Sequence, residues 1–141
     1  MFKNVLLAID LNEPTSWARA LPAALEVCKP SSAALHVVYV AAEVNVQVAS
    51  FFPEGANERL LEQAVSDLKA WIRDHVPGGI TAHPNVAQGN IYREIMNAAE
   101  KISADLIVMA SHKPHLTDYL LGANAAHVVR HAPCSVMVVR G

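Results

Sequence analysis

Asp105-Leu106-Ile107-Val108-Met109-Ala110-Ser111-His112-Lys113-Pro114, followed by Leu120-Leu121-Gly122-Ala123-Asn124, is the stretch that decides the fold. Leu106 to Ala110 is apolar without alternation, the pattern of a strand covered on both faces. Ser111 to Pro114 reads as a polar turn, and Gly122 marks a helix start. A strand that feeds a helix through a polar loop leaves backbone N–H groups where an anion can sit.

The same pattern recurs outward from this stretch. Val5 to Ile9 is a continuous apolar run ending at Asp10, and Leu35 to Val40 and Val136 to Val139 are two more. Thr81 to Ala87 alternates and reads as a weaker strand. Helical stripes separate these runs. They are Trp17, Leu21, Ala24, Leu25 and Cys28; then Leu61, Ala64, Val65, Leu68 and Ile72; then Ile91, Ile95, Ala98, Ala99 and Ile102; and Leu121, Ala125, Val128 and Val129. Pro30-Ser31-Ser32 and Pro77-Gly78-Gly79 are turn clusters that end helices. Strict alternation of strand and helix predicts one α/β domain over residues 1–141, with right-handed crossovers. Glu43 to Gly55, with Phe51-Phe52-Pro53, is a longer connection that reads as a loop, or as a mobile flap or contact surface. In an open parallel sheet a ligand lies beyond the carboxyl ends of the strands, where their order reverses. Asp10 and Ala110-Ser111-His112 stand at two such ends.

Composition narrows the function classes. The chain has 141 residues, 52% hydrophobic and 17% charged, which is globular and sufficient for one core. A net charge of −2 without a basic stripe argues against nucleic acid. Cys28 and Cys134 are far apart, so no disulfide framework is expected and a reducing, cytoplasmic setting is the simpler reading. The amino-terminal residues lack the apolar core and cleavage site of a signal peptide, and no apolar run is long enough for a membrane span.

Taken together, these segments resemble the universal stress protein family over nearly the whole chain. Val5-Leu6-Leu7-Ala8-Ile9-Asp10 resembles that family's first strand, Leu35-His36-Val37 its second, Gln88-Gly89 the glycine before its third helix, and Asp105 to Met109 its fourth strand. His127-Val128-Val129-Arg130-His131-Ala132-Pro133-Cys134-Ser135-Val136-Met137-Val138-Val139 resembles its closing helix and strand, the most specific part of the match. The resemblance implies a flavodoxin-like (Rossmann-like) five-stranded parallel sheet of order 3-2-1-4-5 with helices on both faces. It also implies a homodimer paired through the C-terminal strand, or a tetramer of such dimers.

The nucleotide-binding branch of that family carries Gly-x2-Gly-x9-Gly followed by Ser or Thr. Ala110, Lys113 and Gly122 stand at the glycine positions here, Ala123 stands at the hydroxyl position, and the second spacer is one residue shorter. Ala-Ser-His-Lys-Pro resembles a sub-branch with Arg or Lys before Pro, which has nucleotide-binding members. The implied ligand is ATP or another adenine nucleotide, with or without Mg2+. The implied contacts are Ala8, Ile9, Asp10, Val37, Met109, Ala110, Lys113, Gly122, Ala123, Asn124 and Ala125.

Single residues carry plainer readings beside these. Asp10 either binds ribose or a magnesium-bound phosphate, or caps the first helix or bonds its own loop. Lys113 is either a phosphate partner or an exposed turn lysine. Gly122-Ala123-Asn124 can offer helix amides, with Asn124 as a substitute donor. His112-x2-His115 and His127-x3-His131 have ligand-like spacings, but no cysteine or carboxylate cluster joins them and the pairs sit on different elements. Exposed or capping histidines, and no metal, are therefore expected. Trp17 and Trp71 read as packing residues and Cys134 as a small buried hydrophobe.

Asp10-x-Asn12 with Thr15 faintly resembles aspartyl-phosphate sites, yet the second acidic residue is missing, and GxSxG, HExxH and GxxxxGK[ST] are absent. No enzyme is expected beyond weak ATP hydrolysis. The expected function is a nucleotide-binding regulator of stress response acting through self-assembly and a protein partner, for instance a transport system. The alternative is a nucleotide-free dimerising module.

Overall fold

A computed structural model describes residues 1–42, Gln47, residues 50–111 and residues 122–140. Five strands are present: β1 (Asn4–Ile9), β2 (Ala34–Ala41), β3 (Ala82–Gln88), β4 (Leu106–Ala110) and β5 (Ser135–Val139). Four described helices alternate with them: α1 (Ala20–Ser31), α2 (Ala56–His75), α3 (Ile91–Lys101) and α4 (Ala123–His131). All four strand pairings are parallel, and the order across the sheet is β3-β2-β1-β4-β5. The α/β architecture and the strand order are thus those the resemblance implied.

The unbroken apolar runs follow from having helices on both faces. Val5, Leu7, Ile9, Leu35, Val37, Leu106 and Val108 point to one side and join Leu21, Ala24, Leu68 and Trp71 of α1 and α2. Leu6, Val38, Ile107 and Met109 point to the other and join Ile95, Ala98, Ala125 and Val128 of α3 and α4. β3, at one edge, has no fully buried residue, and it accommodates Pro84, which a central strand would not. β5 forms the opposite edge, and its residues 136–139 are only half-buried. At the amino ends of the strands, Asp105 accepts hydrogen bonds from Lys3 N (2.8 Å) and Asn4 N (3.0 Å), locking β4 to β1.

Two boundaries differ from the sequence pattern. Trp17 lies outside α1. It follows a 3-10 turn at Pro14–Ser16, and the helix starts only at Ala20. Trp17 still packs as read, edge to face with Trp71 at 5.6 Å. Pro30 does not end α1 but sits inside its last turn, and the helix closes through Ser32 in the left-handed region (φ 52°). The last helix starts at Ala123 with Gly122 as its N-cap, as the glycine signalled, while Leu121 falls outside the described residues.

Candidate functional site

The order reversal places β1 beside β4 at the centre of the sheet, and there the two strands part. Their register runs from Val5↔Leu106 to Leu7↔Val108 and stops. β1 stays paired with β2 up to Ile9↔Tyr39, and β4 stays paired with β5 up to Ala110↔Val139. The facing edges of Ala8-Ile9 and Met109-Ala110 are therefore released from each other at the carboxyl end, where this class of sheet forms its ligand crevice.

One lip is the turn after β1. Asp10 N donates to Ser16 Oγ (2.8 Å), Ser16 Oγ donates back to Asp10 O (3.1 Å), and Glu13 N donates to Asp10 O (3.0 Å). Asp10 Oδ1 accepts from Asn12 N at 2.9 Å, an Asx turn. Asp10 does not cap α1, whose N-cap is Arg19, so of the two plain readings only the loop bond holds. The Asp10 side chain is exposed, and its Oδ2 has no partner among the described residues. Asn12 Nδ2 donates to Tyr39 OH (3.3 Å), tying this turn over the end of β2.

The other lip is the end of β4. Ser111, 1% exposed, extends the pairing with β5 through its amide on Val139 O (3.0 Å). Gly122 N donates to Ser111 O at 2.7 Å, which sets the amino terminus of α4 directly beside the end of β4. Among the described residues no side chain caps α4, whose amino terminus carries the positive end of the helix dipole. Gly122 has φ −60° and ψ 155°, extended backbone open to any residue. A glycine is not required there for conformation.

Behind the first lip, Asn57 and Gln88 exchange two amide hydrogen bonds (3.1 and 2.9 Å), and Gln88 Nε2 also reaches Ala42 O (3.1 Å). This clasp joins the first turn of α2 to the ends of β2 and β3. Gly89 follows with φ +139°, where a Cβ is strained and would meet Glu94, and Asn90 caps α3 through Arg93 N (3.2 Å).

The structure gathers most of the expected contacts at this mouth: Ala8, Ile9 and Asp10 on one side, Met109, Ala110, Gly122, Ala123, Asn124 and Ala125 on the other. Ile9 and Met109 are each 6% exposed and Ala125 2%, so these three offer backbone rather than side chain. Val37 pairs with Leu7, the last rung before β1 and β4 separate, and is fully buried, so it too has backbone rather than side chain to offer. Lys113 falls outside the described residues, as does the His112/His115 pair. Sequence reasoning missed Ser16 and Tyr39 and did not foresee the bond from Asn12 to Tyr39, because the bonds linking these residues span separate strands and turns.

The remaining reactive groups lie elsewhere. Burial pushes both thiols up, with the charge of Asp105 adding to the effect at Cys134, so neither cysteine favours the nucleophilic thiolate. Cys134 is half-buried, less enclosed than expected. His36 stacks against His83 across β2 and β3 (4.9 Å), and burial, then the neighbouring ring's charge, holds it below the usual histidine range. Among the described residues no three His, Cys, Asp or Glu side chains gather to hold a metal ion, and no helix is long and apolar enough to cross a membrane.

Comparison with known proteins agrees with the fold. Universal stress protein G of Escherichia coli O157:H7 is 28% identical over 145 residues, spanning 99% of this chain and 100% of the relative. Among solved structures, universal stress protein UspA from Lactobacillus plantarum superposes with a TM-score of 0.73 at 22% identity, covering 98% of this chain and 97% of that one. A universal stress protein in complex with cAMP gives 0.63 at 21% identity (99% and 97% covered). An Arabidopsis thaliana member with AMP bound gives 0.65 at 17% identity (98% and 90% covered). The family model described as "Universal stress protein family" matches residues 1–140, and with the strand order and the central parting already in place, the chain belongs to the universal stress protein family.

Proposed function

We infer that this protein binds an adenine nucleotide, ATP with or without Mg2+, in the parting between β1 and β4, and serves as a regulator rather than a catalyst. The observation that carries this reading is the end of the β1–β4 register at Leu7↔Val108 while both outer pairings continue. Family members with AMP and cAMP bound support an adenine nucleotide as the occupant. Phosphates would lie against the uncapped amides of α4, beginning at Ala123, with Lys113 adding a positive charge. The Asp10 carboxylate would accept from ribose hydroxyls or hold a phosphate-bound Mg2+. Backbone groups of Ala8, Ile9, Met109 and Ala110 would meet the base and sugar. Among the described residues no partnered base stands at the mouth, and hydrolysis would be weak at most.

The output would pass through assembly and partner contacts in the cytoplasm. β5 is an edge strand with half-buried residues, suited to pairing with a second copy, singly or within a tetramer. A protein partner, such as a transport system, would read the loaded state. A second reading, a nucleotide-free dimerising module, draws on Ala110 and Lys113 standing where the nucleotide-binding branch of the family carries glycine. The deciding experiment is identification by mass of nucleotide released from the denatured, purified protein, with thermal shift in ATP-Mg2+, AMP and GTP. At a hundredfold excess over Kd, binding adds about 2.7 kcal/mol of stability. Empty protein with no adenine-dependent shift at millimolar ligand would leave only the second reading.

A further inference from the structure

His127 and His131 are not among the residues implied to contact nucleotide. They stand four residues apart on α4, a spacing that puts both side chains on one helix face. Both residues are exposed, with ring centroids 6.4 Å apart and planes inclined by 20°. His127 also stacks on Tyr92 of α3, at 4.4 Å and 16°, and Tyr92 is itself packed against the core beneath. The backbone holds its helical form to the end, since Ala132 N donates to Val128 O at 2.8 Å.

We propose that His127 and His131 chelate a divalent first-row transition cation, Zn2+, Ni2+ or Cu2+, with water completing the coordination. Two histidines at this spacing on one helical face are the arrangement that helical zinc sites use. Tyr92 orients the first ring. Side-chain rotation of the exposed His131 closes the remaining gap, bringing one nitrogen of each ring to about 2.0–2.1 Å from the ion. His131 is the last residue of α4, where the negative end of the helix dipole favours a cation. Among the described residues no further His, Cys, Asp or Glu joins the pair, so the site is open and exchangeable rather than a closed structural centre. Imidazole selects these ions over Mg2+, which prefers oxygen ligands. The site is therefore independent of any magnesium that accompanies a nucleotide.

The test uses the untagged full chain, stripped with EDTA and titrated calorimetrically with ZnCl2 and NiCl2 in the absence of nucleotide. One ion per chain is expected, with affinity falling as pH is lowered because the ligands must be neutral. His127→Ala and His131→Ala should each weaken binding at least tenfold and abolish the ion-dependent rise in Tm. A His112→Ala/His115→Ala double variant should bind as the parent does. Both substituted helix positions are exposed, and circular dichroism verifies that the variants fold. Absence of binding by the parent, undiminished binding by either single variant, or loss that follows the His112/His115 variant would each overturn the proposal.

Discussion

Asp10 separates the nucleotide reading from its rivals most sharply, because its structural and ligand roles rest on different atoms. Oδ1 holds the Asx turn through Asn12 N, whereas Oδ2 stands exposed at the crevice. Asp10→Ala removes both, and Asp10→Asn keeps an oxygen for the turn but loses the charge. The exposed turn bond is worth about 0.5–1 kcal/mol, so urea denaturation should find the alanine variant weakened by that amount and the asparagine variant within about 0.5 kcal/mol of the parent. A hydrogen bond from a ribose hydroxyl to a carboxylate contributes about 1.5–3 kcal/mol. At about 1.4 kcal/mol per decade, Asp10→Ala should weaken AMP binding roughly 10- to 150-fold. Calorimetry with AMP, ATP and ATP-Mg2+ then distinguishes the two contacts. A ribose contact lowers all three affinities alike, while a magnesium contact lowers only the last. If a folded Asp10→Ala protein bound all three within twofold of the parent, the carboxylate would have no ligand role. If it bound ATP more tightly, Asp10 would merely repel phosphate, and the placement of ribose beside β1 would be wrong.

Three further outcomes follow from the same geometry. Gly122→Ala fits the backbone at φ −60°, so Tm without ligand should stay within about a degree. If phosphate rests on the α4 amides, the added methyl should weaken nucleotide binding at least about tenfold, as read by calorimetry. Asp105→Ala strips the acceptor from Lys3 N and Asn4 N and should cost about 2 kcal/mol in urea denaturation, with Asp105→Asn losing about half as much. His36 is held below its ordinary value of about 6.5, so the unfolded chain takes up the proton first, and stability is lost as pH falls through 6.5 toward the folded value. Denaturation midpoints measured from pH 7.5 to 5 should decline, and His36→Gln should flatten that decline.

The sheet was legible because its central strands are buried on both faces, and an unbroken run such as Leu106 to Ala110 permits few other readings. The residues at the strand ends were equally visible, since Asp10 and Ser111 are the first polar positions after such runs. Local helix ends were harder. Pro30 looks like a terminator in isolation, yet the last turn of α1 tolerates it because Ser32 adopts the left-handed cap. Trp17 satisfies the helical spacing although it lies between the 3-10 turn and α1, because tertiary packing against Trp71 governs its position rather than helical phase. The Asn12–Tyr39 and Asn57–Gln88 bonds left no trace in the sequence, since they join residues 27 and 31 positions apart whose proximity only the finished sheet creates. Val37 illustrates the converse: the run Leu35 to Val40 marks a covered strand without saying how deep each residue lies, and the register sets Val37 beside Leu7 in the core.

The Asn57–Gln88 clasp leaves the excursion that joins β2 to α2 unusually free to change. Ala42, just after β2, and Asn57, at the start of α2, are both anchored to the same glutamine, so the span is closed at its base by bonds that do not depend on its contents. Lengthening a loop so closed adds little entropic penalty, about 0.6 kcal/mol for each doubling. That makes the stretch a suitable place for an engineer to graft an epitope or a reporter without disturbing the sheet.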